Sequence, residues 1–247
     1  MSIQPLILAG GLGTRLRPRT KILPKPLLPV AGRPLLWYVL QALAPFDLAK
    51  PIVAVSYLGK TITAYFEGWP ATFEKVDCPT MADAVLSIAS RCADSQALLG
   101  MSSDVIVPRV AVRQVLEAYK ENGGLNTVLF VRLAEAGHKK WNFIVSDRRL
   151  VDIKVEADRT AFERVLLILN VSSVKQLTTI VGNPIVQAKL DADLLRYQAG
   201  WNLILKALLR LEIPVAAEYV DTPVCNINRP EDFPRAEDFV RNHGPWE

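Results

Sequence analysis

The chain has 247 residues, 50% of them hydrophobic and 22% charged, with a formal net charge of +4. That balance suits a folded protein with a sizeable core and excludes a disordered majority. Lysine and arginine are dispersed rather than run together, and no apolar run approaches the ~20 residues that span a bilayer, so neither nucleic acid nor membrane is expected as a partner. The N-terminus lacks a basic segment ahead of its apolar run, which predicts an untargeted, cytoplasmic protein. Cys78, Cys92 and Cys225 lie far apart without a CxxC pair. That spacing argues against a disulfide framework and a cysteine zinc site.

Strand-like and helix-like segments alternate along the first half. Ile3 to Ala9 reads as a strand, Pro34 to Leu43 as a helix and Ile52 to Tyr57 as a strand. Met81 to Cys92 then reads as a helix, Gln96 to Met101 as a strand, Val110 to Tyr119 as a helix and Thr127 to Leu133 as a strand. Pro34 falls where a first-turn proline is tolerated. Such alternation predicts an α/β fold, a Rossmann-like open mixed, mostly parallel sheet with helices on both faces. From Trp141 the pattern changes to strands at Asn142 to Ser146, Leu150 to Val155 and Arg164 to Val171, with Ser146 to Arg149 as a hairpin connection. Helix returns at Asp191 to Leu211, followed by a strand at Pro214 to Val220. A last helix from Pro230 carries an apolar face of Phe233, Ala236, Phe239 and Val240. Without repeats or a long linker, residues 1–247 read as a single domain with a small inserted β region over roughly 138–180.

The densest punctuation lies in LILAGGLGTRLRPRTKILPKPLLPVAGRPLL, Leu6 to Leu36, which also holds the densest cations: Arg15, Arg17, Arg19, Lys21 and Lys25. In an open parallel sheet the loop beyond the first strand is a favoured ligand site. Gly10, Gly11 and Gly13 occupy that loop. Glycines let the backbone approach a ligand closely, and their N–H groups can bond phosphate or base oxygens. Arginine then offers a two-pronged donor and lysine a compact charge. These residues predict a nucleotide polyphosphate; the glycines alone would equally suit a plain turn with solvated cations. The GxGxxG fingerprint fails because Leu16 stands at its third glycine, and GxxxxGK[ST] is absent.

LAGGLGTRLRPRT followed by PKPLLPVAGRPLL resembles the signature of the sugar-1-phosphate nucleotidyltransferases, the NDP-sugar pyrophosphorylases. The resemblance implies the nucleotide-diphospho-sugar transferase type of fold. It implies that Leu8, Ala9, Gly10, Gly11, Gly13, Thr14 and Arg15 bind the nucleotide. Arg15 would grip the leaving pyrophosphate and Lys25 the reacting phosphates, which makes these two the catalytic candidates. The implied reaction is attack by a sugar phosphate oxygen on the α-phosphorus of a nucleoside triphosphate, catalysed by positioning and charge neutralisation. Mg²⁺ is the implied cofactor, with Asp104 of LLGMSSDVIV as first ligand; the same acid could simply cap a turn. The second metal position falls in CNINRPEDFPRA, where Asn226 or Asn228 stands in place of the family's acid. An asparagine carbonyl can coordinate Mg²⁺ but brings no charge. Molybdenum-cofactor guanylyltransferase-like relatives also carry asparagine here, and Asn228 with Pro230 would also suit a helix start.

Thr80 and Asp83 of PTMADA align with the family's base-recognition loop, and equally with a capping box. On the acceptor side, Glu156 stands where the family has a sugar-phosphate lysine. A carboxylate beside a phosphate would repel it by several kcal/mol in a partly dry site. Lys154, two residues earlier on the same strand face, is the substitute, and Asn170 of LLILNVSSV corresponds to the family's sugar-contacting asparagine or makes a strand-end turn. His138 and His243 lack partners at useful spacing and receive no role. No hexapeptide-repeat tail follows, so a second activity is not expected. The reading is a Mg²⁺-dependent nucleotidyltransferase that couples a nucleoside triphosphate to a sugar 1-phosphate or similar phosphorylated acceptor. Its alternative is a non-catalytic nucleotide-binding regulatory or sensor relative. Base, sugar and oligomeric state stay open, a homo-oligomer included.

Overall fold

The computed structural model describes residues 2–78, 80–132, 141–155, 162–177, 200–244 and 246. Pro79, His138, Glu156 and the expected first part of the helix from Asp191 lie outside the described residues. In chain order the elements are β1 (Ile3–Leu8), β2 (Pro29–Val30), β3 (Arg33–Pro34), α1 (Leu35–Leu43), β4 (Ile52–Val55), α2 (Gly59–Tyr65) and β5 (Thr72–Lys75). There follow α3 (Met81–Ala89), β6 (Ala97–Ser102), β7 (Val105–Ile106), α4 (Arg109–Glu121), β8 (Asn126–Arg132), β9 (Trp141–Ser146), β10 (Arg149–Val155) and β11 (Phe162–Asn170). The series ends with α5 (Val171–Gln176), α6 (Gly200–Arg210), β12 (Val215–Val220), β13 (Cys225–Asn226) and α7 (Asp232–Asn242). These form the α/β class expected, a mixed and mostly parallel sheet with helices.

Contacts divide the chain into two compact units. One comprises Gln4–Asp77, Gly100–Arg113 and Thr222–Glu247, the other Met1–Ile3, Cys78–Leu99 and Gln114–Asp221. In the first, β4 lies between β1 and β5, all parallel, with Leu6 opposite Ile52 and Leu8 opposite Ala54. Leu6, Ile7 and Leu8 are buried, as expected of an inner strand whose sequence is apolar without alternation. Every residue of α1 except Gln41 is buried, which is what an apolar surface around the whole helix requires. Pro34 itself is extended, at φ −60° and ψ 148°, and precedes the helix rather than joining its first turn as expected. α2 and β5 were not anticipated. Their stretches are short, and α2 is rich in threonine, which is a weak helix former. Tertiary packing holds them, through buried Ile62 and through Phe66 stacked on Phe73 at 5.8 Å.

In the second unit β12 runs parallel to β8, β11 pairs antiparallel with β8, and β10 pairs antiparallel with both β12 and β9. The expected hairpin between β9 and β10 is present. Asp147 and Arg148 both take positive φ, 48° and 56°, the backbone a two-residue hairpin turn needs. α6 packs against α3 with Trp201, Leu205 and Leu208 buried. Its Lys206, also buried, bonds the Asp152 carboxylate and donates to the Ile153 carbonyl at 2.9 Å. Among the described residues no helix is long and apolar enough to cross a membrane.

Candidate functional site

The glycine loop leaves the end of β1, where the Ala9 N–H bonds the Ala54 carbonyl at 2.9 Å and the Leu8 carbonyl accepts from the Ser103 N–H at 3.1 Å. Gly10 passes so close to β4's exit that a Cβ there would meet the Ser56 Cβ at 3.0 Å. Around Gly11 a Cβ would meet nothing within 4 Å. Gly13 takes φ +61°, and its Cβ would lie 2.9 Å from Thr20 Cγ2 and 3.3 Å from Lys25 Cβ. The left-handed backbone and the close approach of Thr20 together favour glycine there. Thr20, buried, donates its hydroxyl to the Gly13 carbonyl at 2.8 Å, while Tyr57 donates to the Thr20 carbonyl at 3.0 Å.

Three short 3-10 turns, Thr14–Leu16, Arg19–Lys21 and Lys25–Leu27, then carry the cations. Buried Leu16, Pro26 and Leu27 anchor these turns, leaving Arg15 exposed and Lys25 partly so. Pro24 is extended and Pro26 sits early in the last turn, so the backbone presenting Lys25 has two fixed φ angles.

Asp104 lies in the turn between β6 and β7. β7 pairs with β13, placing Asn226 opposite Val105, and the Ile227 N–H donates to the Asp104 carbonyl at 3.0 Å. Two side-chain couples close the arrangement. Lys25 Nζ stands 2.7 Å from Asp104 Oδ2, and the Arg15 guanidinium donates to Asn228 Oδ1 at 2.7 Å. Four residues from three distant sequence segments are thus gathered in one unit. Arg19 adds a cation over the Phe233 ring at 5.7 Å.

Thr80, Asp83, Lys154 and Asn170 belong to the second unit. Thr80 and Asp83 form the capping box of α3: the Thr80 hydroxyl accepts the Asp83 N–H at 3.1 Å, and the Asp83 carboxylate accepts the Thr80 N–H at 3.0 Å. Lys154 is exposed on β10, next to buried Ile153. Asn170 is engaged at both ends of its side chain, Oδ1 accepting from the Tyr119 hydroxyl at 2.5 Å and Nδ2 donating to the Gly124 carbonyl at 2.9 Å.

Thr20, Tyr57, Asp232 and Arg235 are not among the residues that the sequence marks for a site. Asp232 stands at the start of the last helix. In the structure its carboxylate turns back to accept the Asn228 and Arg229 N–H groups at 2.7 and 2.8 Å. The carboxylate thus reaches back three and four residues, to N–H groups ahead of the helix. Burial pushes the neighbouring Cys225 thiol above its ordinary value despite the Arg235 cation beside it. A separate groove of about 640 Å³, lined by Leu40, Leu43, Phe46, Leu48, Trp69 and Pro70 among others, is apolar and holds none of the residues singled out from the sequence.

A glycine loop at the end of an inner parallel strand is thus followed by a cationic segment that faces a carboxylate. Residues 5–152 match the family described as "MobA-like NTP transferase domain", and the chain belongs to that family. Its relatives include the mannose-1-phosphate guanyltransferase of Debaryomyces hansenii, 31% identical over 61% of this chain and 44% of the relative. That of Candida albicans is 32% identical over the same shares. The chain therefore matches less than half the length of these relatives. Among solved structures, the CTP:phosphocholine cytidylyltransferase of Streptococcus pneumoniae superposes with a TM-score of 0.73 at 19% identity, covering 97% of this chain and all of that one. The inositol-1-phosphate CTP transferase of T. maritima gives 0.72 at 15% identity, covering 98% of each chain. At such identities these two structures show the shared fold.

Proposed function

We propose that this chain is a nucleotidyltransferase that couples a nucleoside triphosphate to a sugar 1-phosphate or similar phosphorylated acceptor. The observation that carries the reading is the pair of couples Lys25–Asp104 and Arg15–Asn228 beside the glycine loop. An acceptor phosphate oxygen attacks the α-phosphorus, one P–O bond forms, and the bond to the β-phosphate's bridging oxygen breaks as pyrophosphate leaves with the electron pair. Side chains need only position the reactants and neutralise charge. Lys25, a point charge 12% exposed, suits the reacting phosphates. Arg15, already held by a neutral oxygen at Asn228, can exchange that bond for a charge-assisted one to the leaving group. Gly11, with open space around it, lets the backbone approach the triphosphate.

Chemistry of this kind uses a divalent metal to polarise phosphate oxygens and orient them. The residues would suit Mg²⁺: Asp104 would offer one carboxylate and Asn226 or Asn228 a neutral oxygen, leaving the rest of the shell to substrate phosphates and water. An Asp104 oxygen already faces a cation, the Lys25 ammonium. Among the described residues no group of three or more His, Cys, Asp and Glu could hold a metal ion.

The test is pyrophosphate release from a panel of nucleoside triphosphates and acceptors. GTP with mannose 1-phosphate comes first, because the relatives are mannose-1-phosphate guanyltransferases. Phosphocholine and inositol 1-phosphate extend the panel to acceptors named for proteins of this fold. Turnover that disappears in Lys25→Ala supports the reading. Retained triphosphate binding without turnover for any pair would replace it with the non-catalytic alternative, which Glu156 at the family's lysine position favours.

A further inference from the structure

The segment Asn226-Ile227-Asn228-Arg229 is tied down from two sides. On one side the Ile227 N–H bonds the Asp104 carbonyl at 3.0 Å and Asn228 Oδ1 accepts from Arg15 at 2.7 Å. On the other side a single carboxylate does most of the holding. Asp232 Oδ2 accepts the N–H groups of Asn228 at 2.7 Å and Arg229 at 2.8 Å, while Oδ1 accepts from Arg235 at 3.1 Å. The same Arg235 nitrogen donates to the Asn226 carbonyl at 3.1 Å. Asp232 keeps only 19% of its side chain exposed, so its bonds are little diluted by water.

We infer that Asp232 is a positioning residue, which orients Asn228 toward Arg15 and, through Arg235, fixes the backbone at Asn226; the inference rests on the transferase reading above. α7 begins at Asp232 itself and its N-cap, Glu231, makes no side-chain cap bond. The Asp232 carboxylate points back into the preceding loop rather than into the helix. Removing it leaves the two N–H groups without their acceptor, and Arg235 without its partner carboxylate. The segment is then free to rotate about Asn228, moving the oxygen that holds Arg15. Misplacing a catalytic group by about 1 Å costs on the order of 100-fold, and losing a partner that orients metal ligands costs about 10–100-fold.

Asparagine at this position keeps an oxygen acceptor for the backbone and removes the charge. Comparing Asp232→Ala with Asp232→Asn therefore separates orientation from a charge effect at the helix start. The experiment uses the full chain and measures thermal melting, Mn²⁺ affinity in the presence of GTP by electron paramagnetic resonance, and kcat and KM with GTP and mannose 1-phosphate. Asp232→Ala is expected to stay folded, to weaken Mn²⁺ about 10–100-fold and to lower kcat more than it raises the KM for GTP, with Asp232→Asn recovering most of the loss. Wild-type Mn²⁺ affinity and kcat in Asp232→Ala would overturn the inference. So would equal losses in both variants that only follow their melting temperatures. If the wild-type chain binds Mn²⁺ with GTP but never turns over, the transferase reading fails, and the Mn²⁺ shift still decides the role of Asp232. Absence of Mn²⁺ and GTP binding by the wild-type chain would overturn both.

Discussion

The ammonium nitrogen of Lys25 lies 2.7 Å from Asp104 Oδ2, in a couple whose side chains are 12% and 29% exposed. The cation proposed to meet the triphosphate neutralises the acid proposed to meet the metal. Each is held near its working position, and the carboxylate is spared an unpaired charge. Nucleotide phosphates would draw Lys25 away and release the acid as they arrive.

Lys25→Met should accordingly act in opposite directions on two measurements. Turnover should fall about 100–1,000-fold, the scale for removing one group that stabilises transition-state charge. Mn²⁺ binding to the nucleotide-free chain should tighten roughly fivefold, equivalent to about 1 kcal/mol for a partly exposed ion pair. Steady-state kinetics and Mn²⁺ titration check the two arms separately.

Gly11→Ala and Gly13→Ala should part company. Gly13 has φ +61° and no room beside Thr20, so alanine there should cost about 1–3 kcal/mol and lower the melting temperature. Gly11 has no atom within 4 Å of an added Cβ, so the fold should tolerate alanine. Triphosphate affinity should still fall, by about 5–150-fold if the methyl group crowds the ligand by ~1–3 kcal/mol. Calorimetric melting and nucleotide titration of both variants test this.

Tyr119→Phe removes the donor that holds Asn170 Oδ1. If the asparagine serves the fold, stability should drop by about 0.5–1.5 kcal/mol while the acceptor KM stays constant. A rise in acceptor KM without loss of stability would instead assign Asn170 to the acceptor. Urea unfolding and acceptor kinetics distinguish the two.

Stability should also depend on acid through Asp152. Burial alone would raise its pKa, yet bonds from Lys206 and the Ile153 N–H, with the charges of Lys206 and Arg210, hold it below the ordinary 3.8. A depressed carboxylate contributes stability above its unfolded pKa and loses it as pH falls through the folded value. Asp152→Asn should therefore be less stable than wild type at pH 7, and the gap should narrow as pH falls below about 4. Urea unfolding across that range is the check.

Much of this was legible because it is local. β1 and α1 follow from apolar runs, the β9–β10 hairpin from its turn, and the glycine loop from punctuation after a strand. α2 and β5 were not legible, since their weak intrinsic preferences are overridden by the packing of Ile62, Phe66 and Phe73. Thr80 and Asp83 show the opposite case. One spacing served two readings, and the structure displays the capping box that the spacing also allowed.

By itself the sequence determined the residue types that suit a triphosphate: glycines at three loop positions, and cations at Arg15 and Lys25 carried on a proline-stiffened run. Those choices are dictated by backbone freedom and charge, which a short stretch contains in full. Only the tertiary structure decided which partners meet them. Asp104 reaches Lys25 because β6 ends beside β1, and Asn228 reaches Arg15 because β13 pairs with β7 and Asp232 folds the following turn. Contacts across 79 and 213 residues depend on strand pairing, and no local pattern encodes them.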